Sequence, residues 1–133
     1  MAETQRTKAG SLLAEVSSAM VKLHKEQFGR GPTHSRADFA GRDGLVCTLE
    51  NALVPAERAM VELGEAQKVR ESRAFMQAVT ADLFTGVVED ILGRKVRAFS
   101  SAIDPEAGVV FEVFAFQPRE DGQSDGAGPV ASA

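Results

Sequence analysis

Apolar residues recur every three or four positions in three stretches of the chain, which is the spacing of a helix with one buried side. The first helix is predicted to begin at Ser11 as its N-cap and to end at Gly29, and Pro55 opens a short second helix. The third ends at Gly93, and Gly86 inside it indicates close packing because glycine lowers helix stability. The apolar side of this third helix is predicted to contain Val69, Phe75, Met76, Val79, Leu83, Val87, Ile91 and Leu92.

Two pairs of short apolar segments lie between and after the helices, and each pair predicts a β-hairpin. The first pairs residues 33–39 with residues 45–49 across a glycine-rich turn. The second pairs residues 96–103 with residues 109–116 across the turn sequence DPEAG. The predicted order is α-β-β-α-α-β-β. This is an α+β fold in which both hairpins join one four-stranded antiparallel sheet, with the helices on one face.

The two helix–hairpin halves of this order resemble each other when the numbering is shifted by 64 residues. Gly29 and Gly93 then coincide after a helix, and Gly44 and Gly108 coincide before a second strand. The same shift aligns Phe28 with Leu92, Leu45-Val46 with Val109-Val110, and Leu49 with Val113. We interpret this as a structural repeat; the alternative is that any two helix–hairpin units look alike at this level of description.

The composition of the two ends separates them from the predicted domain. Residues 1–9 are polar, and residues 118–133 are rich in Gly, Ser, Ala and acidic residues, so both segments are predicted to be disordered. Residues 10–117 are then a single domain of ordinary size.

The charge and the apolar content exclude several classes of protein. The net charge of −4 has the wrong sign for a protein bound mainly to phosphate groups, so no nucleic-acid partner is expected. No apolar run reaches the roughly 20 residues of a membrane-spanning helix, so no direct membrane insertion is expected. The first residues lack a signal-peptide pattern, and the single cysteine fits a reducing compartment, so a cytoplasmic location is expected.

The residue types that usually carry catalysis or bind metals are few. His24 and His34 lie ten positions apart, and Cys47 is alone, so there is no zinc-ligand spacing and neither a metal nor a cofactor is expected. We interpret the histidines as surface or boundary residues and the cysteine as a buried small side chain. An enzyme would need a titratable pair brought together by folding, such as His34 with Asp38 or Glu112. The expectation is that the protein is not an enzyme.

Several positively charged or backbone groups are candidates for binding an anionic ligand. The N–H groups of the helix stop at residues 29–32 can receive an anion, although this segment lacks the flanking strand and helix of a phosphate loop. On the third helix, solvated Glu–Arg pairs are the ordinary interpretation of the arginines. The candidates are Arg30, Gly31, His34, Arg73 and Lys95.

The last predicted strand is apolar on both faces apart from Glu112. One face can pack beneath the helices, but the other also needs a cover, and an exposed apolar face usually marks an interface. A homodimer is the simplest cover. The interface candidates are Phe111, Val113, Phe114 and Phe116.

Short segments in a fixed order carry a resemblance to one bacterial family. KEQFGRGP at 25–32 resembles its helix ending in G[RK]GP, and LVPAE at 53–57 resembles its "LTxxE" helix start. Val69 and Arg73 resemble its V-x-x-x-R pattern. Residues 93–96, followed by residues 100–104, resemble its "GxxV…SxxxD" entry into the last hairpin, and Val113-Phe114 resembles its closing "VF". Val54 departs from the family's Thr, and Ala66 from its frequent Gly.

From about residue 18 to residue 116, the chain thus resembles the MpsC-like family, named after a component of a sodium-translocating, membrane-potential-generating system. The resemblance implies a soluble cytoplasmic, non-enzymatic accessory or binding module associated with membrane cation or inorganic-carbon transport. It also implies transporter subunits as partners, and it assigns no catalytic residues. The alternative hypothesis is a small-ligand sensor that binds an anion or nucleotide between helices and sheet, through Arg30, Arg73 or Lys95.

Overall fold

The helices and strands follow the predicted order. A computed structural model of the chain describes residues 2–119. Its elements are α1 (Ala2–Phe28), β1 (His34–Phe39), β2 (Gly44–Glu50), α2 (Pro55–Glu62), α3 (Ala66–Leu92), β3 (Val96–Asp104) and β4 (Val109–Phe116). The strands form one antiparallel sheet in the order β1-β2-β4-β3, so the predicted α+β fold with a four-stranded sheet is confirmed.

The first helix is longer than the sequence pattern indicated. It begins at Ala2, so Ser11 lies inside the helix and its prediction as the N-cap is wrong. The sequence predicted disorder over residues 1–9, whereas residues 2–9 are helical here. These residues contain neither Gly nor Pro, and most of them are good helix formers. In the predicted disordered tail, residues 120–133 lie outside the described part of the chain.

The core lies between the sheet and the two long helices. β4 alternates strictly, with one face buried against the helices and the other left open. The buried residues of the core include Val16 and Met20 of α1, Phe84 and Val88 of α3, and Leu45, Leu49, Phe114 and Phe116 of the sheet. Burial of these side chains contributes roughly 1.5–3 kcal/mol each.

The internal repeat is visible in the helices. α1 and α3 begin and end 64 residues apart, and their buried residues Val16, Met20 and His24 correspond at this shift to Thr80, Phe84 and Val88. The arginines after the two helix stops also correspond. Arg30 donates a hydrogen bond to the Leu53 carbonyl at 3.3 Å, and Arg94 donates one to the Gln117 carbonyl at 2.8 Å.

The second strands of the two halves differ from the predicted alignment by one residue. Leu45, Cys47 and Leu49 face the helices, and so do Val110, Glu112 and Phe114, which is a shift of 65. The alignment of Leu45-Val46 with Val109-Val110, and of Leu49 with Val113, is therefore wrong. Five residues separate the paired Phe39 and Leu45 in the first hairpin, and six separate the paired Ile103 and Val110 in the second. This difference of one residue between equivalent paired positions places the side chains of β4 on the opposite face from the one that a shift of 64 predicts.

The buried side of α3 only partly matches the side that hydrophobicity predicted: Val69 is buried, and Val87, Ile91 and Leu92 pack against the core. The helix buries Val69, Arg73, Thr80, Phe84 and Val88. Large apolar side chains of the predicted side are instead 50–79 % exposed, together with one from the end of α2; we call these residues the apolar stripe, and they are Leu63, Phe75, Val79 and Leu83. Hydrophobicity does not identify this part of the helix because two of its buried residues, Arg73 and Thr80, are polar. The close packing expected at Gly86 is also wrong, since an added Cβ would meet no atom within 4 Å.

The interface candidates of β4 divide between its two faces. Phe111 and Val113 lie exposed on the open face of the sheet, as an interface would require. Phe114 and Phe116 are fully buried beneath the helices. Side chains alternate along a strand, so Phe114 and Phe116 face the helices and are not part of the exposed face.

Candidate functional site

A cavity of about 280 Å³ lies between the C-terminal part of α1, the middle of α3 and the strands β3 and β4. The residues around it combine aromatic rings, two arginines, a histidine and a carboxylate. They are His24, Phe28, Arg70, Arg73, Ala74, Gln77, Thr80, Phe84, Phe99, Ser101, Ala102, Ile103, Val110 and Glu112. Pockets of small-molecule sites have this composition, with apolar walls and a few polar groups.

A buried hydrogen bond between a histidine and a carboxylate lies in the wall of the cavity. His24 Nε2 and Glu112 Oε2 are 2.8 Å apart, and the two residues are 2 % and 3 % exposed. His24 belongs to the buried side of α1, and Glu112 is the polar residue on the helix-facing side of β4. Burying an ionised carboxylate costs several kcal/mol, which a single good hydrogen bond offsets only in part.

Each partner of this pair also has a second polar atom that is left without a hydrogen bond. His24 Nδ1 and Glu112 Oε1 are both buried, and neither bonds to any residue between 2 and 119. A buried unsatisfied polar atom costs about 1–3 kcal/mol. When Nε2 carries the proton, it donates to Glu112 and Nδ1 is an acceptor, so the cavity wall then presents two unused acceptors.

The internal repeat indicates that the fold does not require this pair. At the corresponding positions of the other half stand Val88 for His24 and Cys47 for Glu112, and both are buried. Burial, followed by the nearby Glu112 and Asp38 carboxylates, raises the pKa of the Cys47 thiol to about 12. An uncharged, protonated thiol thus occupies the place that a carboxylate takes in the second half.

Arg73 closes one end of the cavity through a largely buried ion pair with Glu57. Its Nε and Nη2 donate to the two carboxylate oxygens of Glu57, both at 2.7 Å, and Nη2 also donates to the Ala52 carbonyl at 2.9 Å. Burial raises the pKa of Glu57, but the hydrogen bonds from Arg73 and from the Val54 N–H outweigh it, so the pKa lies below its usual value. The guanidinium lies 4.0 Å from the Phe28 ring centre.

Aromatic rings line the inner walls, and the mouth lies between α3 and β3. The His24 ring is 5.5 Å from Phe28 and 5.4 Å from Phe84, and the Phe84 and Phe99 rings are stacked at 6.0 Å. At the mouth, Arg70, Ala74 and Ala102 are exposed. The cavity is therefore apolar along its sides, polar at His24 and Glu112, and positively charged at its opening.

Comparison with protein families identifies the chain. A family model described as "MpsC: Na+-translocating membrane potential-generating system (MpsC)" matches residues 8–118. The chain belongs to the MpsC family. The family resemblance inferred from the short segments is thereby confirmed. No curated protein and no solved structure matches the chain.

The segments that carried the MpsC resemblance meet in the structure. Arg73, from the V-x-x-x-R pattern, binds Glu57 of the LVPAE segment, and Arg30 of the GRGP segment donates to the Leu53 carbonyl. Glu57 also accepts a hydrogen bond at 2.9 Å from the Val54 N–H, which secures the start of α2 where Val54 provides no capping hydroxyl. These family motifs thus join α1, α2 and α3 at one end of the cavity.

Among the helices within residues 2–119, none is long and apolar enough to cross a membrane. The same part of the chain contains no group of three or more His, Cys, Asp or Glu residues placed to hold a metal ion.

Two of the predicted anion-binding residues come close together, because Arg30 and Arg73 donate to the neighbouring carbonyls of Leu53 and Ala52, whereas the others lie elsewhere. Arg73 lines the cavity, whereas Arg30 is bound to a carbonyl and Gly31 packs closely against the backbone of α1. His34 and Lys95 are exposed, at the start of β1 and just before β3. The titratable pair that folding creates contains Glu112, as considered from the sequence, but its partner is His24 rather than His34.

His24 was not predicted as a site residue, although the sequence contains a signal for it. It lies four positions after Met20 and four before Phe28, on the apolar side of α1. Glu112 interrupts an otherwise apolar strand. A polar residue in each of two apolar faces suggests that the two faces meet, but no local pattern shows that these two positions coincide.

Proposed function

We propose that this protein is a non-enzymatic accessory module of a membrane ion-translocating system and that it acts from the cytoplasm. The observation that carries the proposal is the match to the MpsC family across residues 8–118, because the family is described as a sodium-translocating system that generates membrane potential. The role of this chain within such a system is then to bind one of its other components.

The apolar stripe supports this proposal because it is suited to binding a protein partner. Phe75, Val79 and Leu83 lie four residues apart on α3, so they form one continuous exposed ridge, and Leu63 is exposed at the end of α2. Contiguous apolar surface of this kind marks interaction sites in monomers. A subunit of the translocating complex is the partner that the family description suggests.

Co-purification from native cells tests the accessory role. A tagged copy is recovered from the detergent-solubilised membrane fraction, and the attached proteins are identified by mass spectrometry. The variant Phe75→Glu places a charge on the apolar stripe, whereas Ala78→Glu places the same charge on an exposed position of α3 outside it. We expect ion-transport subunits with the unchanged protein and with Ala78→Glu, but not with Phe75→Glu. Recovery of the chain alone would contradict the proposal.

The cavity favours a second candidate function, that of a small-ligand sensor. Its wall holds a buried histidine and a buried carboxylate with unused hydrogen-bonding atoms, and the other half of the repeat has apolar or uncharged residues at both places. A screen of anions and nucleotides by thermal shift tests this function. An increase in melting temperature with one class of compound supports it, and a flat screen counts against it.

A further inference from the structure

The innermost polar atoms of the cavity require a hydrogen-bond donor. Glu112 Oε1 is an acceptor when the side chain is ionised, and it has no partner among the described residues. His24 Nδ1 is a second acceptor when Nε2 donates to Glu112. A ligand that presents an N–H or O–H group at this depth would satisfy one or both atoms.

The walls of the cavity favour a flat, unsaturated ligand. Phe28, Phe84 and Phe99 contribute three rings, and Ile103 and Val110 complete the apolar lining. Aromatic rings pack best against other planar groups in stacked or edge-to-face arrangements. The volume of about 280 Å³ lies at the lower end of the range for small-molecule pockets, so the ligand is small.

The charges of the cavity add a requirement at the mouth. Arg73 is neutralised by Glu57, and His24 is paired with Glu112. Arg70 is exposed at the opening, and it forms no ion pair with any residue in the described range. A negative group on the ligand would therefore be attracted to Arg70 and repelled by the carboxylate of Glu112.

We propose that the cavity binds a flat aromatic anion whose N–H or O–H donor reaches Glu112 Oε1 while its negative group contacts Arg70. This inference rests on the ligand-sensor function and specifies its ligand. Two kinds of metabolite share the chemistry: aromatic carboxylates with a hydroxyl or ring N–H, and purine nucleotides, whose base carries the donor and whose phosphate carries the charge.

Calorimetric titration of the full chain with matched pairs of probes separates these sources. The first pair is 4-hydroxybenzoate and benzoate, which differ only in the donor. The second pair is guanosine 5′-monophosphate and ribose 5-phosphate, which differ in the base. Tighter binding of the first member of one pair, by about tenfold or more, supports the proposal and identifies the source. Equal binding within both pairs, or no binding by any probe, overturns it.

Variants of the two contacting residues test the orientation of the ligand. Glu112→Gln keeps the side-chain shape but replaces one acceptor oxygen with an N–H₂ donor, and it should weaken the binding probe at least about tenfold. Arg70→Ala should weaken it similarly, whereas Lys68→Ala removes the same charge from an exposed position of α3 that does not line the cavity. If Glu112→Gln does not fold, the two α3 variants decide. Equal affinity of Arg70→Ala and Lys68→Ala for the probe would overturn the proposed role of Arg70.

Failure of this ligand proposal can be distinguished from failure of the ligand-sensor function and of the accessory function. If another class of anion raises the melting temperature while all four probes fail, the ligand-sensor function stands and the ligand chemistry proposed here is overturned. If no compound binds but transport subunits still co-purify with the chain, the accessory function stands without a ligand.

Discussion

At His24 and Glu112, the second half of the chain does not reproduce the first. Val88 and Cys47 hold the equivalent places, so the same fold packs these positions both with and without charge. The pair could not be predicted from the sequence because its members are 88 residues apart, and only the pairing of β2 with β4 brings Glu112 beneath α1. From the sequence, His34 was considered as the partner of Glu112, whereas in the structure the partner is His24.

Removal of one member of this pair should destabilise the protein far more than removal of both. His24→Val leaves a buried carboxylate without a partner and is expected to lower the free energy of unfolding by about 3–5 kcal/mol. Adding Glu112→Val removes that charge, and the double variant should regain most of the loss because the other half of the repeat packs apolar or uncharged groups here. Urea unfolding of both variants measures this. A double variant less stable than His24→Val would show that the pair is structural.

The Glu57–Arg73 pair should make stability depend on acid pH. The pKa of Glu57 lies below its ordinary value of 4.5 in the folded chain, so its contribution is complete above the unfolded pKa and is lost as pH falls through the folded pKa. Glu57→Gln should therefore be less stable than the unchanged protein at neutral pH, and this difference should shrink below pH 4.5. Urea unfolding at a series of pH values checks it. A difference independent of pH would exclude a contribution from the ionised carboxylate.

At the scale of elements, the parts that local chemistry determines were predicted, and the parts that packing determines were not. Gly29 and Gly93 both end helices in the left-handed conformation, and the turns of both hairpins were placed correctly. Part of the buried side of α3 was missed because Arg73 and Thr80 are buried with their hydrogen bonds satisfied. The shift within the second hairpin depends on one additional residue between paired positions, which apolar patterning does not register.

The glycine within α3 and the glycine that ends it should respond in opposite directions to the same substitution. Gly93 has a φ of 66°, so Gly93→Ala is expected to lower the free energy of unfolding by about 1–2 kcal/mol. Gly86 lies within the helix with open space around an added Cβ, so Gly86→Ala should raise it by about 1 kcal/mol. Urea denaturation of the two variants gives both values. A loss of stability in Gly86→Ala would instead indicate close packing at Gly86, as the sequence suggested.

At the scale of the whole molecule, two apolar surfaces remain exposed within the described residues. One is the apolar stripe on α2 and α3, and the other is the open face of the sheet around Phe111 and Val113. They lie on different elements, so one can bind a second copy of the chain while the other binds a different protein. The apolar last strand indicated the second surface, whereas Phe75, Val79 and Leu83 of the stripe were predicted to lie on the apolar side of the third helix.

The open sheet face is the surface expected to form the homodimer. Val113→Glu places a charge at its centre, on the strand that pairs with both β2 and β3, and should convert a dimer to a monomer. Leu63→Glu makes the same kind of change on the apolar stripe and should leave the dimer intact. Sedimentation velocity distinguishes the two. A monomeric unchanged protein, or dissociation by Leu63→Glu alone, would contradict this assignment.

Sodium uptake by everted membrane vesicles is the measurement that tests the accessory function most directly. Vesicles are prepared from cells that lack the chain, and the purified protein is added back in its unchanged form, as Phe75→Glu or as Ala78→Glu. We expect the unchanged protein and Ala78→Glu to restore uptake, and Phe75→Glu to leave it unrestored. Sodium uptake that is the same with and without the chain would contradict a role in ion translocation.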